Sequence, residues 1–145
     1  MVLPDVNVLV YAFRSDATGH AVSHAWLLDV IRGDARFGIS RMVLSGVVRV
    51  STNPRAYTPP SSLDEAFGFC RDLLSQPHCE LIEPGEQHWE IFERLCRETR
   101  TTGPRVTDAW FAALAIEWGC EWVTFDRDFA RFRGLRWQLL SAADA

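Results

Sequence analysis

The sequence predicts an α/β sandwich built on a mainly parallel sheet, and three observations carry that expectation. Short apolar runs alternate with amphipathic helical segments along the whole chain, and parallel strands need such helical crossovers. The first run, residues 2–6, is apolar at nearly every position, as a strand covered on both faces must be. Carboxylates then recur at the ends of such runs, at Asp5, Asp126 and Asp128, which is where ligands collect in parallel sheets.

Taken in order, residues 2–6 are the first strand and Asn7 to Phe13 turn into a short helix. Gly19 to Ile31 sets Val22, Ala25, Trp26, Leu28 and Val30 against His and Asp, an amphipathic helix that Gly33 ends. Phe37-Gly38-Ile39 is a short strand, and Met42 to Val50 a further apolar helix closed by the turn Thr52-Asn53-Pro54. Ser62 N-caps a helix over Leu63–Leu74. Cys79 to Glu83 is a strand, and Glu86 to Arg100 a helix with Trp89, Phe92 and Leu95 inward. After a loop at Thr101–Pro104, Thr107 caps the helix Asp108–Trp118, which Gly119 closes. Glu121–Phe125 and Leu135–Gln138 are the last strands. No repeat, low-complexity tract or linker intervenes, so residues 1–145 are expected to be one domain.

Composition narrows the function classes. A formal net charge of −4 argues against a protein coated in positive charge that binds polyanions everywhere. All fifteen basic residues are arginine, the better group for bidentate phosphate contact, and lysine is absent. The four cysteines show no CxxC pair or zinc spacing and read as free thiols in a reducing compartment. No signal-peptide pattern or membrane-length apolar run is present, so a cytoplasmic protein is expected. Glycine-rich phosphate loops and serine nucleophile elbows are missing too.

The acidic residues carry the chemistry. Asp5 interrupts the apolar run Val2–Val10, Asp108 opens the apolar helix Asp108–Ile116, and Asp126 and Asp128 follow directly on Trp122–Phe125. A carboxylate beside a buried element must be paired, neutralised or metal-bound. Three distant segments that each deliver one suggest a shared site for a hard cation such as Mg²⁺ or Mn²⁺. Each residue alone has a plainer account: Asp108 suits any first helical turn, Asp128 suits a cap, and Asp126 suits a turn. Asp5 is the hardest to explain that way. Glu117 lies about 13 Å along the helix axis from Asp108 and is assigned to a solvated face. His20 and His24 share a helical face without a third ligand and read as solvent-facing.

At this point the chain resembles a known family. Pro4-Asp5-Val6-Asn7-Val8-Leu9-Val10-Tyr11-Ala12 resembles the opening of a PIN domain. Thr107-Asp108-Ala109-Trp110-Phe111-Ala112-Ala113-Leu114-Ala115 and Thr124-Phe125-Asp126-Arg127-Asp128-Phe129 resemble its two later acidic motifs. With Arg49-Val50-Ser51-Thr52-Asn53-Pro54-Arg55, the set is similar to VapC-type toxins of bacterial type II toxin–antitoxin systems, particularly the mycobacterial branch. The resemblance implies a PIN-like three-layer α/β/α sandwich and a Mg²⁺-dependent endoribonuclease, with Mn²⁺ as a substitute ion. It also implies a structured cellular RNA substrate (tRNA or rRNA), an inhibiting VapB-type antitoxin and a homodimer. Carried over, the roles are catalysis and metal binding for Asp5, Asp108 and Asp126, and metal support from Asp128. Asn7, Ser45, Thr124 and Arg127 are candidates to orient those carboxylates or to contact the substrate.

One departure stands out. Many PIN domains place a glutamate on the helix spanning Met42–Val50, whereas this chain has Leu44-Ser45-Gly46 and no carboxylate from Gly38 to Ser61. That gap favours the rival reading of a catalytically weak or silent binding module. A phosphoaspartyl receiver or phosphatase, which also combines Mg²⁺ with strand-end aspartates, is disfavoured because such proteins rely on a lysine.

Overall fold

The computed structural model describes residues 1–141. Five strands form one all-parallel sheet: β1 (Val2–Pro4), β2 (Phe37–Ile39), β3 (Cys79–Leu81), β4 (Glu121–Thr124) and β5 (Trp137–Leu139), in the order β3-β2-β1-β4-β5. Six helices connect them: α1 (Val6–Phe13), α2 (His20–Arg32), α3 (Arg41–Ser51), α4 (Leu63–Leu74), α5 (His88–Thr99) and α6 (Val106–Trp118). Successive residues of a strand face opposite ways. Phe37, Gly38 and Ile39 are all buried, as are Trp122, Val123 and Thr124, so both sheet faces are covered and the architecture is a three-layer sandwich. Helices α2 and α3 each pack against α1, α4 packs on α3, and α5 packs on α6. Among the described residues no helix is long and apolar enough to cross a membrane.

Local chemistry sets most boundaries. The Ser40 hydroxyl accepts from Met42 N and Val43 N at the start of α3. Ser62 and Glu65 form a reciprocal capping box on α4. Gly119 closes α6 at φ 65°, a left-handed conformation that costs glycine nothing.

Four expectations change. The first strand stops at Pro4, because Asp5 leaves the sheet to cap α1. Thr107 caps nothing: a 3-10 turn over Gly103–Arg105 runs straight into α6, which starts at Val106. Trp89 points outward at 61% exposure, while its neighbour His88 takes the inward position and meets Trp110 edge-to-face at 4.1 Å. Glu117 is no free solvated residue, since it accepts from Gly85 N at 2.7 Å and Gln87 N at 2.9 Å ahead of α5.

Helix spacing explains two glycines and gives a testable contrast. A Cβ on Gly46 would lie 2.7 Å from Val6 Cγ2, so glycine lets α3 approach the start of α1. A Cβ on Gly68 in α4 would meet only Arg71 Nη2, at 3.9 Å. Gly68→Ala is therefore expected to stabilise the fold by about 1 kcal/mol through helix propensity. Gly46→Ala is expected to lose about 1 kcal/mol net, overpacking outweighing the same propensity gain. Urea denaturation of both variants checks the opposite signs.

Candidate active site

The sheet register builds the centre of the site. Pro4 of β1 lies beside Val123 of β4, so the next residues, Asp5 and Thr124, meet at the carboxyl edge of the sheet. Asp5 N donates to Val123 O at 2.9 Å, tying the two strand ends. One carboxylate oxygen, Asp5 Oδ1, accepts from Val6 N at 2.6 Å as the α1 cap. The other, Oδ2, accepts from the buried Thr124 hydroxyl, also at 2.6 Å. Thr124 Oγ1 accepts in turn from Asp126 N at 3.0 Å, and Asp126 Oδ1 accepts from Asp128 N at 2.8 Å, capping the short 3-10 turn Arg127–Arg131. One hydrogen-bonded chain thus runs from Asp5 to the last acidic motif.

Asp108 comes to the same place from the first turn of α6. Asp5, Asp108 and Asp126 line one cavity of about 370 Å³, joined by Asn7, Tyr11 and Arg49. Phe111 and Phe129 complete its apolar side. Asp5 is 8% exposed, and burial raises its pKa from 3.8 to about 6. The hydrogen bonds from Thr124 and Val6 oppose that rise, and the charges of Asp108 and Asp126 add to it. Asp108 is also raised, by burial first, against the pull of Arg131, whose Nη2 lies 3.4 Å from Oδ2. The charges of Asp108 and Asp126 therefore lie close enough to Asp5 to oppose its ionisation.

The remaining expected residues divide. Asn7 lines the cavity, and its side-chain oxygen accepts from Phe125 N at 3.5 Å. Asp128 lies outside the cavity lining, exposed and ion-paired to Arg105, which holds its carboxyl below the usual range. Arg127 is exposed and also lies outside that lining. Ser45 does not line this cavity. It sits a turn earlier on α3 than Arg49 and lines two outer clefts, beside Phe67 and beside Trp110. The polar side chain that α3 brings to the acidic cavity is instead Arg49, which makes no hydrogen bond or ion pair among the described residues. Nothing in the local sequence around Arg49 marks it as a residue of this cavity.

An oxygen-only donor set suits a hard cation. Among the described residues no three His, Cys, Asp or Glu side chains are grouped so that together they could hold a metal ion. Mg²⁺ dehydrates reluctantly and takes one or two carboxylates alongside waters and phosphate oxygens, so it does not require three protein ligands. The donor chemistry suits such an ion, with carboxylates among Asp5, Asp108 and Asp126 as the candidate ligands.

The PIN domain family pattern matches residues 2–135. Ribonuclease VapC43 of Mycobacterium tuberculosis is 41% identical over 138 residues, covering 95% of this chain and 94% of that protein. The chain belongs to the PIN-domain family. A second relative, Ribonuclease VapC33 of Mycobacterium tuberculosis, is 35% identical over 137 residues, 94% of this PIN domain and 96% of its own length. The fold likewise matches VapBC2 of Rickettsia felis, solved bound to a promoter DNA fragment, with a TM-score of 0.71. That match has 19% identity and covers 97% of this chain and 100% of the solved one. Mycobacterium tuberculosis VapC20 superposes with a TM-score of 0.66 at 14% identity, covering 94% and 99%.

Proposed function

We propose that this PIN domain is a Mg²⁺-dependent endoribonuclease, the toxin of a VapBC-type pair, hydrolysing phosphodiester bonds in structured cellular RNA such as tRNA or rRNA. The observation that carries the reading is a buried Asp5 whose pKa is driven up to about 6 in a cavity shared with Asp108 and Asp126. Clustered carboxylates held at that electrostatic cost favour a cation partner. Relatives covering nearly the whole chain are named ribonucleases, which supports the reaction class.

Asp5, Asp108 and Asp126 would hold the ion. When bound, a divalent ion supplies Lewis-acid stabilisation of phosphoryl charge and acidifies a water. The chain's own groups do the positioning. Thr124 and Val6 N–H fix the Asp5 carboxylate, and Arg131 partly neutralises Asp108. The unpaired Arg49 guanidinium is available to grip an RNA phosphate oxygen, a bidentate role suited to arginine. Asp128 acts indirectly, by holding Arg105 at the rim.

Restraint by a VapB-type antitoxin, a homodimeric assembly and a cytoplasmic location belong to the same reading. An arginine from the antitoxin, inserted among the three carboxylates, is the inhibitory contact this cavity invites.

Two measurements test it. Purified protein with structured RNA is expected to generate new ends in Mg²⁺ or Mn²⁺ and none in excess chelator. Retention of RNA without any cutting would favour the binding-module reading instead. Mg²⁺ at 100 times its dissociation constant is expected to stabilise the fold by about 2.7 kcal/mol. Asp108→Asn should reduce that response, and an unchanged melting temperature of the wild type across millimolar Mg²⁺ would rule the ion out.

A further inference from the structure

Beside the acidic cavity lies a second one, of about 520 Å³, that the chemistry above does not use. The two adjoin, because Tyr11 and Val50 line both. Its walls are aromatic: Tyr11 from α1, Phe125 from the end of β4 next to Asp126, and Tyr57 from the loop after α3. Tyr11 and Phe125 brace each other edge-to-face at 5.1 Å. Gly19 keeps the space open on their side, since a Cβ there would lie 2.7 Å from the Tyr11 ring and 3.2 Å from Phe125.

Tyr57 is held from behind. The Arg14 guanidinium, which does not line the cavity, sits 4.5 Å from the Tyr57 ring centroid. Arg14 is itself fixed by Asp16 at 2.6 and 2.9 Å, Ser61 Oγ at 3.1 Å and Pro59 O at 2.9 Å. Polar groups remain free within this aromatic frame. The hydroxyls of Tyr11, Tyr57 and Thr18 have no hydrogen-bond partner among the described residues. Burial, then the neighbouring Tyr11 phenol, push the Tyr57 pKa up, so its hydroxyl stays a neutral donor.

We propose that this cavity is a nucleobase subsite: an unpaired base flanking the scissile phosphate stacks on Tyr57 and Tyr11, and its edge is read by the Thr18 and tyrosine hydroxyls and the Asp16 carboxylate. The proposal rests on the ribonuclease reading and deepens it, since it makes these residues determinants of the cleaved sequence. The volume falls within the ~300–1,000 Å³ typical of small-ligand clefts. A π-rich frame with few convergent polar groups is how proteins take unstacked RNA bases. Asp16 is already neutralised by Arg14, so the wall does not repel a polyanion as a bare carboxylate would.

Fluorescein-labelled single-stranded RNA provides the test, read by anisotropy with the full chain in chelating buffer, where binding is measured without cutting. One abasic nucleotide is walked along the RNA. At one position its loss is expected to weaken binding about 10-fold, the size of one base–aromatic stack. Tyr57→Ala should cost the same factor with intact RNA and nothing further with that abasic RNA. Tyr57→Phe should keep the stack but flatten the preference among the four bases there. Thermal melting of each variant separates misfolding from lost contact, and Tyr57 is a half-buried residue in an otherwise exposed loop. Affinity indifferent to every abasic position and to Tyr57→Ala, or no RNA binding at all, overturns the subsite. Base-dependent binding without cleavage in Mg²⁺ keeps the subsite and defeats the ribonuclease reading. Cleavage with base-indifferent binding does the reverse.

Discussion

Asp5→Asn is expected to make this protein more stable at pH 8 and to cripple its RNA cleavage. The sign follows from Asp5 titrating near 6 in the fold against 3.8 unperturbed. Below pH ~4 the group is neutral in both states and costs nothing. Between pH ~4 and ~6 the unfolded chain ionises while the folded one resists, so stability falls as pH rises. Above that window the full penalty, about 3 kcal/mol for roughly two pH units, is constant. Asparagine escapes it but cannot accept both from Val6 N and from Thr124 Oγ1, which costs about 1 kcal/mol. The variant should therefore gain about 2 kcal/mol at pH 8 and lose about 1 kcal/mol at pH 3.5. Paired urea titrations at the two pH values check this crossing of sign. A variant equally destabilised at both would show that Asp5 is not held at an electrostatic cost. Cleavage should drop on the order of 100-fold or more once the charge is gone, so stability and activity move in opposite directions.

Much of this was readable from local pattern. The mainly apolar runs at Val2–Pro4, Phe37–Ile39 and Trp122–Thr124 announce buried strands, and Ser62 with Glu65 announces the start of α4. The convergence of Asp5, Asp108 and Asp126 was readable because each lies at the end of an element, and parallel topology sends those ends to one edge. The misreadings have local causes. Asp5 between apolar neighbours fits a strand interior or a helix cap equally well, and only the departure of the chain from β1 decides. His88 and Trp89 compete for one inward position, and the smaller imidazole, hydrogen-bonded to Trp110 O at 3.0 Å, wins it. Pairings across the chain left no local trace. Arg131 on Asp108 and Arg105 on Asp128 are each 23 residues apart, and Glu117 reaches Gly85 over 32.

Thr124→Val is expected to be the most damaging change that leaves the shape of the core intact. The side chains are nearly isosteric and position 124 is fully buried in β4, so packing is preserved and the hydroxyl alone is removed. That hydroxyl donates to Asp5 and accepts from Asp126 N, which makes it the link between the first and last acidic motifs. Losing a charge-assisted bond to a buried carboxylate and orphaning an N–H should cost about 2–3 kcal/mol at pH 8. Because the Thr124 bond lowers the Asp5 pKa, its removal pushes that group further above 6. The penalty should shrink to about 1 kcal/mol below pH ~4, where the carboxyl is neutral and needs the donor less. Cleavage should fall about 10–100-fold in kcat with little change in KM, the mark of a residue that orients a ligand rather than binds substrate. Thr124→Ser, which keeps the oxygen, should recover most of that activity. The decisive comparison is a double-mutant cycle with Asp5→Asn. If Thr124 acts through Asp5, the valine substitution costs at least about 1 kcal/mol less at pH 8 in the asparagine background. Additivity within about 0.3–0.5 kcal/mol would mean the two side chains work independently, and the hydrogen-bonded chain across β1 and β4 would lose its role in holding the acidic centre together.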